Sequence, residues 1–130
     1  TFDMIMVDAP CSGEGMFRKD DTAIDEWSIE NVKKCAARQA EILENAALML
    51  KNGGYIVYAT CTFSLEENEM TVDDFLTLHP EFEIVPVKES VAKHTSDGIP
   101  EFICLAGCIG HYLHNANRTR KIIEPCFSCK

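Results

Sequence analysis

Tyr55-Ile56-Val57-Tyr58-Ala59-Thr60-Cys61-Thr62-Phe63-Ser64-Leu65-Glu66-Glu67-Asn68 is the stretch whose reading decides the fold. Its first half is a short apolar run opened by Gly53-Gly54 and rich in β-branched and aromatic residues, which predicts a buried strand. Its second half predicts the start of a helix. Ser64 followed three residues later by Glu67 is a capping-box pattern, and Glu66, Glu67 and Glu69 put negative charge where the helix dipole favours it. Cys61 is thereby expected at the carboxyl end of a strand just before a helix, the place where open α/β sheets bind ligands and display reactive groups. Free cysteine is more often a small buried hydrophobe. Strand-end loops, however, carry function more often than strand interiors do.

A second stretch of the same construction strengthens the functional reading of Cys61. Phe2-Asp3-Met4-Ile5-Met6-Val7 is an apolar run ending in Asp8-Ala9-Pro10-Cys11-Ser12-Gly13-Glu14-Gly15. If the two strands are parallel neighbours, Asp8, Cys11 and Cys61 meet at one edge of a sheet, and a carboxylate and two thiols share a cleft. Between them, Ser28 is expected to cap a helix running to about Lys51, with Ile29, Val32, Ala36, Ala40, Leu43, Ala47 and Leu50 as its apolar stripe and Cys35 beside it. Lys51-Asn52-Gly53 ends that helix with a cation and a residue able to take positive φ. Strand, helix, strand in this order predicts a right-handed crossover and an α/β class.

Downstream, a second helix is expected from about Leu65 to Leu78, with Val72, Phe75 and Leu76 inward and His79 as a capping side chain. Phe82 to Val87 reads as a third strand, at a sheet edge because of Pro86. Lys88 to Pro100 reads as loop, Phe102–Ala106 and Ile109–Leu113 as a further strand or two, and the chain beyond His114 shows no apolar periodicity and is expected to carry no element. The division expected is residues 1–113 as one folded unit and 114–130 as a divergent or disordered tail.

The chain has 130 residues, a net charge of -9 and seven cysteines. That is the size of one domain. It begins at the mouth of an apolar strand with nothing before it to cover that strand, so it reads as a fragment of a larger sheet. The excess acid lies mostly between Glu66 and Glu101, with Arg18, Lys19, Lys33, Lys34 and Arg38 before it and Arg118, Arg120 and Lys121 after it. A net negative charge alone does not favour a nucleic-acid binder, but its distribution leaves basic stretches on either side. No run approaches a membrane span and no signal peptide is visible. An odd number of cysteines without a secretion signal points to reduced thiols and a cytoplasmic setting. Ser12-Gly13-Glu14-Gly15 lacks the Lys and Ser/Thr of a P-loop and is read as a tight turn holding Cys11. One residue too many separates Cys11 from Arg18 for a cysteine-phosphatase loop. Cys104-x3-Cys108 with Cys126-x2-Cys129 comes near the spacing of a four-cysteine zinc site, against a reading of buried or disordered thiols.

The runs Asp8-Ala9-Pro10-Cys11-Ser12-Gly13-Glu14-Gly15-Met16-Phe17-Arg18-Lys19 and Ala59-Thr60-Cys61-Thr62-Phe63-Ser64-Leu65-Glu66-Glu67-Asn68-Glu69 resemble the two signature motifs of the RNA 5-methylcytosine methyltransferases of the NOL1/NOP2/Sun family. Gly13 to Lys19 is similar to the bacterial small-subunit rRNA branch. The resemblance covers Phe2 to Val87. It implies a Rossmann-like methyltransferase fold, here its C-terminal part, with S-adenosylmethionine as methyl donor and RNA, rRNA in this branch, as partner. It implies neither a membrane nor an obligate protein partner. It also implies Cys61 as the nucleophile, Cys11 as the cysteine that helps release the product, and Asp8 as the contact to the cytosine ring and the donor. Pro10, Thr60, Arg18 and Lys19 are the expected substrate contacts. The family's glycine-rich donor loop has no counterpart in this sequence, so this chain alone is expected to be inactive and to bind the donor poorly.

The chemistry agrees with those residue types. Carbon 5 of cytosine is a poor nucleophile until a thiolate adds to carbon 6, and the resulting charge must be relieved at the ring nitrogen. Two other readings use the same letters. In a DNA cytosine-5 methyltransferase, Pro10-Cys11 would carry the nucleophile and Glu30-Asn31-Val32 the base contact, although Val32 belongs to the apolar stripe. A non-enzymatic metal-binding or interaction module would instead be built on the four cysteines of the tail.

Overall fold

The structure is a computed structural model that describes residues 1–85 and the backbone of Arg120–Ile123. Strand β1 (Phe2–Asp8) leads through a 3-10 turn at Glu14–Met16 and a short helix α1 (Thr22–Glu26) into the long helix α2 (Ile29–Met49). Strand β2 (Leu50–Ala59), helix α3 (Glu69–Leu78) and strand β3 (Phe82–Ile84) follow, and β4 (Arg120–Ile123) completes the described elements. The four strands form one parallel sheet in the order β1-β2-β4-β3. The α/β class expected from the sequence is therefore the one observed, with β1 and β2 as parallel neighbours joined through α2 and with β3 at an edge.

Side chains explain the elements. Ser28 caps α2, its hydroxyl accepting from the backbone N–H of Asn31 at 3.0 Å. The buried face of α2 is Val32, Gln39, Leu43, Ala46 and Ala47, so it is rotated from the expected stripe. Ile29 and Ala40 are exposed, and a polar residue, Gln39, is fully buried in their stead. Leu43, Ala46, Ala47 and Leu50 pack with Ile56 and Tyr58 of β2, Val72 and Phe75 of α3, and Phe82 of β3 into one core. On α3 the inward residues Val72, Phe75 and Leu76 match expectation, and His79, at the helix end, stacks on Phe75 with ring centroids 4.5 Å apart and bonds Glu44 at 2.8 Å.

Besides the short helix α1, for which no element is expected, three elements differ from the sequence reading. Strand β2 starts at Leu50 rather than Tyr55, because the chain turns extended directly after Met49. Gly53 has a φ of 88°, the left-handed region open to glycine, inside the strand rather than at the helix end. It lets Phe2 pair with Leu50 and Met4 with Tyr55, so the extra β2 residues bulge out and the register beyond is regular through Asp8 and Ala59. Helix α3 starts at Glu69, not Leu65, and no Ser64–Glu67 capping box forms. Arg120–Ile123, within the stretch read as free of elements, pairs with β2 on one side and β3 on the other. Four residues are too few to show periodicity, and a strand flanked on both sides is stabilised by its neighbours' ladders rather than by its own pattern. The expected strands at Phe102–Ala106 and Ile109–Leu113, the domain boundary near residue 113, and Cys104, Cys108, Cys126 and Cys129 lie outside the described residues. No helix among the described residues is long and apolar enough to cross a membrane.

Candidate active site

The register of β1 on β2 sets Asp8 beside Ala59, and the two strand ends stay locked one residue further by the Ala9 N–H donating to Ala59 O at 2.8 Å. Each chain then leaves the sheet in a loop carrying a cysteine. Cys11 Sγ and Cys61 Sγ stand 3.1 Å apart as free thiols. A cleft of about 300 Å³ opens at this edge, lined by Asp8, Thr60, Cys61, Lys19 and the apolar Met6, Met16 and Phe63. Parallel strand ends thus assemble what the sequence leads one to expect: Asp8, Cys11 and Cys61 in one place.

The two thiols are not equivalent. Cys61 is exposed and lines the cleft, whereas Cys11 is half-buried and meets the cleft through Cys61. Burial, followed by the hydrogen bond with Cys61, pushes the Cys11 thiol up from an ordinary 9.0 to about 12. At neutral pH Cys11 is a protonated neighbour of Cys61.

Glu14 and Gly15 place the Cys61 loop. The Gly15 N–H donates to Cys61 O at 2.7 Å, and a Cβ at this position would lie 2.5 Å from that oxygen, so only glycine allows the approach. One carboxylate oxygen of Glu14 accepts from the Phe63 N–H at 2.8 Å and from the Thr62 hydroxyl at 3.2 Å, while the other accepts from the Trp27 indole at 3.1 Å. Asn68 donates to Thr62 O at 3.1 Å and Ser64 O at 2.9 Å, and its Oδ1 accepts from the Thr60 hydroxyl. The turn between Cys61 and α3 is held by these side chains in place of the helix expected there.

Glu67, expected as a capping-box residue, is fully buried and turned toward the Cys11 loop. It accepts from the Ser12 N–H at 2.8 Å, from the Ser12 hydroxyl, and from Gln39 Nε2 at 3.1 Å. Gln39 also donates to Pro10 O at 2.9 Å. Gln39, Glu14, Gly15 and Glu67 were not among the sequence candidates. A polar residue in the middle of an apolar helix face was the available signal for Gln39, and the doubled glycine around Glu14 was the signal for a close approach.

The remaining candidates divide. Thr60 and Lys19 line the cleft. Arg18 is exposed and Pro10 contributes its carbonyl to Gln39, and neither lines the cleft. Glu30-Asn31-Val32 occupies the first turns of α2, with Glu30 paired to Lys34 at 2.6 Å and Val32 buried, as the apolar stripe predicted, so it offers no base contact at the thiols. Among the described residues no group of His, Cys, Asp and Glu is arranged to hold a metal ion.

Comparison with known proteins agrees with this geometry. A family model described as 16S rRNA methyltransferase RsmB/F matches residues 1–105. The ribosomal RNA small subunit methyltransferase F of Klebsiella pneumoniae (strain 342) is 46% identical over 127 residues, 93% of this chain and 27% of that protein. Its namesake from Aeromonas hydrophila is 53% identical over 76 residues, 58% of this chain and 16% of that protein. The crystal structure of PH0851 superposes with a TM-score of 0.64 at 37% identity, over 67% of this chain and 20% of that one. The chain thus spans about a quarter or less of the curated relatives it matches here. A parallel sheet with two cysteine loops at its carboxyl edge, and a family match over most of the sequence, lead to one conclusion: the chain belongs to the RsmB/F family of 16S rRNA methyltransferases, with a partial Rossmann-like methyltransferase fold.

Proposed function

We propose that this segment carries the reacting thiols of an enzyme that methylates carbon 5 of a cytosine in rRNA, working in the cytoplasm through a covalent cysteine–cytosine intermediate. The observation that carries the proposal is the unequal pair: an exposed Cys61 in the cleft, 3.1 Å from a Cys11 held protonated. A thiol that keeps its proton can donate a hydrogen bond to its neighbour's sulfur and leaves the exposed thiol as the one free to react.

In the proposed reaction the Cys61 thiolate forms a bond to carbon 6 of the cytosine. The displaced π pair moves through the ring toward N3, which takes up a proton from solvent and later returns it there, with Asp8 holding that edge. Carbon 5 is then nucleophilic. S-adenosylmethionine, when bound, would supply the electrophilic methyl group, its sulfur keeping the pair of the broken bond and leaving as the neutral thioether. Of the residues here, Asp8 and the apolar rim at Met6 suit it, since a carboxylate beside apolar surface matches a sulfonium on an adenosyl group. N3 gives its proton back after methylation. Bonding Cys61 to carbon also removes its hydrogen bond to Cys11 and its negative charge, so Cys11 ionises more readily at this stage, its proton passing to solvent. Cys11 then takes the carbon 5 proton, the C–H pair forms the C5–C6 double bond, and the sulfur–carbon bond breaks with its pair returning to Cys61. Lys19 at the rim is suited to a phosphate of the RNA.

The test uses a full-length methyltransferase carrying these residues, with 16S rRNA or a DNA of matching sequence labelled with tritium at cytosine carbon 5. Donor-dependent tritium release from the RNA alone is expected. Release from the DNA alone would favour the DNA-type reading, and no release from either would refute attack at carbon 5.

A further inference from the structure

We propose that Glu67 is a positioning residue for the release half of this reaction, through the Glu67–Ser12–Gln39 clamp on the Cys11 loop. The inference rests on the roles of Cys11 and Cys61 given above. Both neighbours of Cys11 are held by this clamp: Pro10 through its carbonyl on Gln39, and Ser12 through its N–H and hydroxyl on Glu67. Gln39 and Glu67 are fully buried and bonded to each other at 3.1 Å, so the clamp is anchored in α2 and in the turn before α3. The Tyr58 hydroxyl donates to the backbone O of Glu67 at 2.7 Å and ties that turn to β2 independently of the Glu67 side chain.

Burying a carboxylate is costly unless donors surround it, and neutral hydrogen bonds would suffice for a turn with only a structural task. Three donors converge here on one buried carboxyl group, the Ser12 N–H, the Ser12 hydroxyl and Gln39 Nε2. The clamp touches the Cys61 side at one point, the Ser12 and Thr62 hydroxyls 3.0 Å apart, but that side has further supports in Gly15, Glu14 and Asn68. Loss of the Glu67 carboxylate therefore loosens Cys11, both of whose neighbours the clamp holds, more than Cys61, and a misplacement of about 1 Å is worth about a hundredfold in a reacting geometry.

The experiment replaces Glu67 with Met in a full-length methyltransferase carrying these residues, which keeps the length of the buried side chain but offers no oxygen to the Ser12 N–H, the Ser12 hydroxyl or Gln39. Single-turnover mixing with substrate RNA and donor, quenched in denaturant, reads covalent adduct and product separately. Expected are an adduct that forms within about threefold of the wild-type rate and a release that slows about a hundredfold, so adduct accumulates. Ser12→Ala, which removes one of the three donors together with the hydroxyl bond to Thr62, should show the same accumulation to a smaller degree. A merely structural Glu67 would lower adduct formation and turnover together, in step with the folded fraction measured by circular dichroism. That result, or wild-type release in Glu67→Met, overturns the proposal. If Glu67→Met does not fold, Ser12→Ala without adduct accumulation overturns it. Cys11→Ala serves as the control, because absence of a trapped adduct there refutes the underlying assignment rather than the clamp.

Discussion

Replacing Gly15 with Ala should damage the site without touching a reacting atom. The new Cβ would lie 2.5 Å from Cys61 O and 3.3 Å from its carbonyl carbon, both backbone atoms that have no rotamer to change. Relief to ordinary van der Waals contact requires the two loops to part by about 0.9 Å. That stretches the Gly15 N–H bond to Cys61 O from 2.7 Å to beyond hydrogen-bonding distance. The lost bond costs about 1 kcal/mol and the strain of overpacking about 1–3 kcal/mol, so stability should fall by about 2–4 kcal/mol. The larger effect is kinetic: displacing Cys61 by nearly 1 Å should slow its addition to cytosine by about a hundredfold. Rapid-quench measurement of adduct formation, with urea unfolding of the same variant, separates the two. Addition within about threefold of wild type, or a fall no larger than the loss of folded protein accounts for, would refute the reasoning.

Alkylation should distinguish the thiols. With iodoacetamide and peptide mass spectrometry, exposed Cys61 should react first, and Cys11 only as the pH climbs toward 12, with its threshold lower in Cys61→Ala. The same raised value makes Cys11 harder to ionise folded than unfolded, so its contribution to stability is complete below pH 9.0 and is lost as pH rises toward 12. Cys11→Ser should remove that alkaline slope in urea titrations. In the core, Leu43→Ala deletes a side chain with no exposure and should cost about 2–5 kcal/mol by urea unfolding, and a loss below 1 kcal/mol would mean the core collapses around the gap.

What was legible in the sequence is what local pattern encodes. The apolar runs at Phe2–Val7 and Tyr55–Ala59, and Ser28 before a periodic stretch, identify β1, β2 and α2, and parallel pairing then brings Asp8, Cys11 and Cys61 together. Hidden from the sequence was what depends on partners far along the chain. Ser64 and Glu67 have the letters of a capping box, but Glu67 turns to donors on Ser12 and Gln39 instead, and the helix starts later, at Glu69. Gln39 stands as a polar residue on the face of Val32 and Leu43, and what it bonds shows only once the loop it serves is in place. Short elements escaped as well. Helix α1 (Thr22–Glu26) spans about one turn, and β4 has its order set by the strands on either side.

The central claim is that Cys61 attacks and Cys11 releases, and a denaturing gel of a full-length methyltransferase carrying these residues, incubated with substrate RNA and donor, tests it most directly. Cys11→Ala should leave a protein band shifted by covalently bound RNA, and Cys61→Ala should show neither shifted band nor methylated product. A shifted band that persists in Cys61→Ala and disappears in Cys11→Ala would contradict the account.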